Sequence, residues 1–568
     1  MHLLAAESAE LRLDLSWVDY SLLGAYFVVV LGIGLAARAS ISSSLDFLLS
    51  GRSLPAWITG LAFIAANLGA LEILGMAANG AQYGVSTVHF YWIGAVPAMV
   101  FLGIVMMPFY YGSKVRSVPE YLRQRFDNRT HLFNAITFAV ASVLIAGVNL
   151  YALAIVIRGL LGWPVWVAIV VAAAIVLVYI TAGGLTSAIY NEVLQFFVIL
   201  AGLVPLVIVG LAANGGWSGL KEKVTANPAG GEGFFSAWGG TGVGDVTNPI
   251  AANWIAIVFG LGFVLSFGYW TTNFAEVQRA LSAKDMNAAR RTPIIGAYPK
   301  LFIPALTIIP GLIALVEFPQ LGAETGTYQY NNAIPLLMEK YLPTGVLGVA
   351  VTGLLAAFMA GMAANVSAFN TVFTYDIWQA YIKKDRPDGY YLRVGRTVTV
   401  VGVVIGIGTA FIASGYSNIM NYIQALFSIF NAPLFATFII GMFWKRTTSP
   451  AAFWGLLAGT ASAAFIFVTS ESGVDSFGFD EPLLFTFGSG LSASFWGAVV
   501  AFVADALVTV TVSLVTTPKP VEELAGLVYG SAVRDAETHA EHQTWWQNPV
   551  TFGIGALVLA AVLYIPFL

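Results

Sequence analysis

Apolar residues run along this chain in stretches of about twenty or more, broken by short clusters of Gly, Pro or charge. The runs fall at about 17–37, 55–83, 88–111, 132–161, 163–182, 186–213 and 251–276. They continue at 294–316, 346–377, 394–414, 417–444, 449–470, 487–515 and 547–568. A helix needs about 20 residues to cross the hydrocarbon, so this pattern predicts about fourteen transmembrane helices. Two longer polar stretches, 214–250 and 317–345, interrupt the series, and an acidic stretch, 516–546, joins the last two helices.

Composition sharpens that picture. Of 568 residues, 58% are hydrophobic and 10% charged, against roughly 45–50% and 25% in soluble domains. Mean hydropathy is +0.79. The chain reads as an all-α polytopic membrane protein with the lipid bilayer as its solvent. A net charge of -4 offers no basic face to nucleic acid. Cysteine is absent, which removes disulfides, thiolate metal sites and thiol nucleophiles. The first 16 residues hold one basic residue, Arg12, and no cleavage site follows, so no signal peptide is read there. Counting Lys and Arg on alternate sides gives twenty on one side against Arg12, Arg158, Lys221, Lys223 and Lys340 on the other. That bias predicts both termini and the two long polar loops outside, and the chain is expected as a multi-pass protein of the plasma (inner) membrane.

Two spans carry polar or small residues where helical hydrogen bonding could lapse beside a cavity: Ala65-Ala66-Asn67-Leu68-Gly69-Ala70, and Ser266 through Asn273 five helices later. Glu72, Glu192 and Lys300 fall deep in spans, where an ionised group costs about 2.5–3.5 kcal/mol unless it has a partner or water. Asp376 and Asp505 lie nearer span ends. The neutral amides Asn149 and Gln424 can donate and accept, and Tyr269 with Trp270 supplies a ring platform or gate. Glu72 and Lys300 read either as a pair tying two helices or as part of a polar cavity. None of the histidines (His2, His89, His131, His539 and His542) forms a helical metal pair in a span, and a phosphate loop with its Lys is lacking. Nothing marks an enzyme or an obligate protein partner.

Several strings, in order, give the chain a family likeness. They are Asp46-Phe-Leu-Leu-Ser-Gly-Arg-Ser-Leu-Pro55, Ala65-Ala-Asn67, Ser117-Val-Pro-Glu-Tyr121, Gly183-Gly-Leu185 and Glu192-Val-Leu-Gln195. Gln278-Arg-Ala-Leu-Ser-Ala-Lys284, Thr374-Tyr-Asp-Ile377 and Phe443-Trp-Lys-Arg-Thr-Thr448 follow. The chain resembles the solute:sodium symporters, and among them the bacterial sodium/galactose and animal sodium/glucose symporters. The resemblance implies a five-plus-five inverted repeat of the LeuT type working by alternating access. It divides the chain into 1–54, a first repeat at 55–213, an external loop at 214–250, a second repeat at 251–444 and C-terminal helices at 445–568. Carried over position by position, the solute site falls on Asn67, Glu72, Tyr91, Asn149, Ser266, Lys300 and Gln424, with Tyr269 as inner gate. Glu72 stands where the family has a glutamine, Tyr91 where it has a glutamate and Ser266 where it has an asparagine.

The same resemblance implies a coupling Na⁺ held by the carbonyls of Ala65, Leu68 and Ala357. The two hydroxyl positions of that site fall on Ala360 and Gly361, which supply no side-chain oxygen. Glu192 stands at the family's nearby aspartate, as a compensating carboxylate. Three readings follow: a Na⁺-coupled symporter of a small polar solute, foremost a sugar; the same fold with another solute, or with H⁺ coupling through Glu72 or Glu192; and a sensor or channel.

Overall fold

The computed structural model is almost wholly helical and describes residues 13–38, 43–323, 328–477, 479–529, 544 and 547–568. Arg12, Arg534, His2, His539 and His542 lie outside the described residues. Among the described residues, eleven helices are long and apolar enough to cross a bilayer, and two bent pairs bring the crossings to as many as thirteen. In chain order they begin with α1 (Trp17–Ala37), the bent pair α2 (Ala56–Asn67) and α3 (Leu71–Val88), α4 (Phe90–Gly112) and α5 (Asn128–Leu161). Next come α6 (Val165–Ala213), the bent pair α7 (Ala256–Thr272) and α8 (Phe274–Leu281), α9 (Met286–Glu317) and α10 (Val346–Ile382). The series ends with α11 (Asp388–Ala413), α12 (Ile419–Phe443), α13 (Ser449–Thr469), α14 (Gly490–Val515) and α15 (Pro549–Phe567).

The fourteenth expected crossing falls on Val165–Val178, an apolar helix too short to qualify as a crossing by length alone. Two helices are expected over 163–182 and 186–213, yet helical hydrogen bonding runs unbroken from Val165 to Ala213. Its second part, Leu185–Ala213, is long enough to cross, whereas the apolar part of its first, Val165–Val178, is shorter than the other crossings. Glycines at 183 and 184 permit a turn but do not compel one.

The core lies along α5 and α10, which are almost wholly buried, while α1 and α15 are mostly exposed and face outward. α9 is helical through Pro293, Pro299, Pro304 and Pro310. Each proline removes a backbone donor, which is tolerated where neighbouring helices shield and re-satisfy the freed groups. Gly311 lets α9 close on α3: a Cβ there would stand 2.1 Å from the Ala77 carbonyl oxygen. That contact sets the helix bearing Lys300 against the one bearing Glu72.

Both expected interruptions are bends, though not at the same place within their motifs. α2 stops at Asn67, Leu68 leaves the helical region (φ -70°, ψ 39°), and α3 departs at 57°. In the second motif, Ser266 through Thr272 stays helical, and the 50° bend falls at its last residue, Asn273 (φ -71°, ψ 110°). The Asn273 side chain then caps α8, its Oδ1 accepting from the Ala275 N–H at 3.0 Å. That bond replaces one of the donors a new helix leaves unsatisfied.

Candidate functional site: a polar cavity between two bent helices

A cavity of about 60 Å³ opens where the two bends face α4, α9 and α12. Asn67, Glu72, Tyr91, Ser266, Tyr269, Lys300 and Gln424 line it, together with the aromatic faces of Phe90, Trp270 and Phe427. This volume holds roughly four to six water molecules.

Lys300 organises the polar wall. Its Nζ lies 2.7 Å from Glu72 Oε2 and also donates to Asn67 Oδ1. The Tyr91 ring centroid lies 5.0 Å from the ammonium and that of Trp270 5.2 Å, both within cation–π range. Such a fully enclosed charge, 2% exposed, is stable only with this set of partners. Glu72 Oε1, by contrast, is buried with no hydrogen-bond partner. The Tyr91 hydroxyl meets Thr307 Oγ1 at 3.1 Å, and its ring lies over the Lys300 ammonium. Gln424 Nε2 meets only the Met420 sulfur, at 3.3 Å, a weak acceptor. Glu72 Oε1 and the Gln424 amide are therefore available to a solute.

Tyr269 is held by its hydroxyl as well as its ring. Asn67 Nδ2 donates to that hydroxyl at 3.0 Å, and the hydroxyl donates to Glu276 Oε1 at 2.7 Å. Its ring centroid lies 4.7 Å from that of Phe427. Glu276 and its helix-mate Arg279 were not legible as deep groups, because the polar string from Phe274 to Leu281 reads as the start of a loop. In the structure all eight residues of α8 are buried.

Asn149 does not line the cavity. It stands behind the first bend, where its Oδ1 accepts from the Ala70 N–H at 2.9 Å and its Nδ2 donates to the Ile145 carbonyl at 3.2 Å. Space for it is made by two glycines: a Cβ would lie 2.5 Å from Asn149 Oδ1 if built on Gly69, and 2.3 Å if built on Gly361. The amide thus takes up a backbone donor freed where helix α2 ends.

Two of the residues expected around the ion, Gly361 and Glu192, are engaged by other side chains. Gly361, which supplies no hydroxyl, leaves the gap through which Asn149 reaches the bend. The two oxygens of Glu192 pair with the Arg279 guanidinium, Oε2 at 3.2 Å from Nε and Oε1 closer still to Nη2. Both side chains are fully enclosed. The bend and α10 do meet closely, since the Cβ built on Gly69 would lie 3.2 Å from the Gly361 Cα. Ala357 and Ala360 lie on that stretch of α10, and Ala65 and Leu68 at the end of α2. The Ala65 carbonyl already accepts from the Leu68 N–H at 3.1 Å. This neighbourhood offers an ion main-chain carbonyls and no side-chain hydroxyl.

Known proteins resemble this chain. A sequence profile described as the sodium:solute symporter family matches residues 47–459. The sodium/glucose cotransporter of Vibrio parahaemolyticus is 30% identical over 474 residues, covering 80% of this chain and 85% of its own. A sodium/mannose cotransporter of Bos taurus is 31% identical over 487 residues, 79% of each. The sodium/myo-inositol cotransporter 2 of Homo sapiens is 30% identical over 463 residues, 78% of this chain and 68% of its own. Among solved structures, a Na⁺-coupled sialic acid symporter in a substrate-bound outward-open state superposes with a TM-score of 0.72 at 19% identity, over 89% of this chain and 99% of that one. Mhp1, a nucleobase-cation-symport-1 family transporter in a closed conformation, gives 0.53 at 15% identity, over 85% and 97%. At such identities the two structures speak for the fold alone. Profile, relatives and helical architecture agree: the chain is a multi-pass membrane protein that belongs to the sodium:solute symporter family.

Proposed function

We propose that this protein is a Na⁺-coupled symporter that takes up a small neutral polyol, foremost a hexose sugar, by alternating access. The observation that carries the solute class is the pairing inside the cavity. Lys300 is already neutralised by Glu72, so the site offers no net positive charge to attract an acid. What remains free suits a ring that is polar at its rim and apolar on its face: the unpaired Glu72 Oε1, the Gln424 amide, Ser266, and the Trp270 and Tyr269 rings. The names of the relatives, sodium/glucose, sodium/mannose and sodium/myo-inositol cotransporters, support the same class.

Na⁺ is a co-substrate in this reading. It binds between the end of α2 and α10, on carbonyls of Ala65, Leu68 and Ala357 completed by water. A hard cation needs several oxygens, and a site without hydroxyls at Ala360 and Gly361 is a weak one. The bends divide each spanning pair so that one half can rock while the other stays packed. In this reading the protein sits in the plasma (inner) membrane, and the Lys and Arg distribution supports an orientation with the basic loops facing the cytoplasm.

The test is uptake by the purified full chain in liposomes under a Na⁺ gradient, an H⁺ gradient or none. Radiolabelled galactose, glucose, mannose, myo-inositol and sialic acid serve as probes. The expected result is Na⁺-driven, saturating uptake of at least one neutral probe. Uptake of sialic acid alone, or uptake indifferent to Na⁺, would overturn the reading.

A further inference from the structure

The buried cluster behind the cavity contains one carboxyl group without a cation. Glu276 is 2% exposed. Its Oε1 accepts from Tyr269, and its Oε2 is buried with no hydrogen-bond partner. The charged and titratable groups that face it are Tyr269 on α7, Arg279 on its own helix, Lys300 on α9 and Glu192 on α6. Arg279 is held by Glu192, and Lys300 by Glu72. Three carboxyl groups thus share two committed cations. Fully ionised, the cluster would keep one uncompensated negative charge among packed helices, which is costly.

Hydrogen-bond direction shows where a positive charge can enter. Lys300 has only donors, so Asn67 must present its oxygen to the ammonium and its nitrogen to Tyr269. The Tyr269 proton is then directed at Glu276 Oε1. Every donor in the relay points from the ammonium toward the acid, and each bond polarises the next. Oε1 is therefore occupied, and Oε2 is the open position. No group of three or more acidic, imidazole or thiol side chains fit to hold a metal gathers among the described residues. A proton needs no second ligand.

We propose that Glu276 is a proton-binding site of this transporter. A proton from water bonds to Oε2 and neutralises the cluster. Its return to water restores the carboxylate, which then grips the Tyr269 hydroxyl through a charge-assisted bond. Glu72 and Glu192, which sequence alone marks for a role with protons, are both spent on salt bridges. The assignment goes beyond Na⁺-coupled uptake and is read without any solute.

Infrared difference spectroscopy of the full chain in liposomes, titrated from about pH 5 to about pH 9, reports the protonated-carboxyl stretch across the range that contains shifted carboxyls. The wild type should show a band that disappears as pH rises and is missing in Glu276→Gln. Asp505, buried between Thr437 and Thr509 without a cation, and Asp376, buried with its Oδ2 unpartnered, are other sources of such a band, and Asp505→Asn and Asp376→Asn identify their shares. Tyr269→Phe removes the donor to Oε1, so the Glu276 band should persist to higher pH. Wild-type and Glu276→Gln spectra that coincide at every pH would overturn the proposal. If Glu276→Gln does not fold, the Tyr269→Phe shift decides, and an unmoved band overturns it. Flux under a Na⁺ gradient is a separate measurement, so either proposal can fail while the other stands.

Discussion

Sequence alone makes Gly361→Ser look like the repair of a sodium site, because it restores a side-chain oxygen where the resembled family has one. The structure leads to the opposite expectation. A Cβ on Gly361 would stand 2.3 Å from Asn149 Oδ1, 2.8 Å from its Cγ and 3.1 Å from its Nδ2. The amide cannot slide the other way, because Gly69 already lies against it from the bend and Nδ2 is tied to the Ile145 carbonyl. Something must yield, and the bond most exposed to loss is that from the Ala70 N–H to Oδ1. Ala70 is fully buried, so its donor would be stranded. An unsatisfied buried donor costs about 1–3 kcal/mol, and forcing extra atoms into a packed core costs about 1–3 kcal/mol more. The combined loss is about 2–6 kcal/mol.

The assay is the apparent thermal midpoint of the purified protein in detergent, followed by tryptophan fluorescence with and without Na⁺. Gly361→Ala should lower the midpoint as much as Gly361→Ser, since the Cβ and not the hydroxyl does the damage. Asn149→Ala clears the space but strands Ala70. The double variant Asn149→Ala with Gly361→Ala should therefore lose less than the two single losses added together, the signature of neighbours in contact. A Gly361→Ser protein with the wild-type midpoint and a stronger response to Na⁺ would refute the reasoning.

Two further outcomes follow from the salt bridges. Glu72→Gln leaves the Lys300 ammonium buried without its countercharge and should destabilise by up to about 3–5 kcal/mol. Adding Lys300→Met should recover most of that midpoint while abolishing solute uptake; no recovery would mean that the pair is not the source of the loss. Glu192→Gln should lower the midpoint equally with and without Na⁺, because its partner is Arg279. A loss seen only in the presence of Na⁺ would return Glu192 to the ion site.

The crossings were legible because hydropathy is summed over some twenty residues, and no packing detail can hide a sum of that length. The first bend was legible too, since an amide followed by Leu-Gly marks a place where a helix can lapse. The second lies at Asn273, the last residue of its motif, because its capping amide decides the position. What could not be read are choices between partners. Asn149 facing a solute and Asn149 facing a stranded N–H have the same sequence signature, and only the two glycines that admit it, Gly69 and Gly361, tell them apart. Glu192 and Arg279 are 87 positions apart, and Asn67 and Lys300 are 233. Arg279 counted naturally among the basic residues of an internal loop, since nothing local shows that a carboxylate waits for it across the fold. Burial of α8 depends on that distant pairing. Without Glu192 to receive the guanidinium, the polar string at 274–281 would belong in water. A polar helix could then not follow the bend into the protein, and Tyr269 would lose Glu276, which α8 carries to it. Tyr269, the bend and the buried acid are one construction, held in place by a salt bridge that the sequence does not announce.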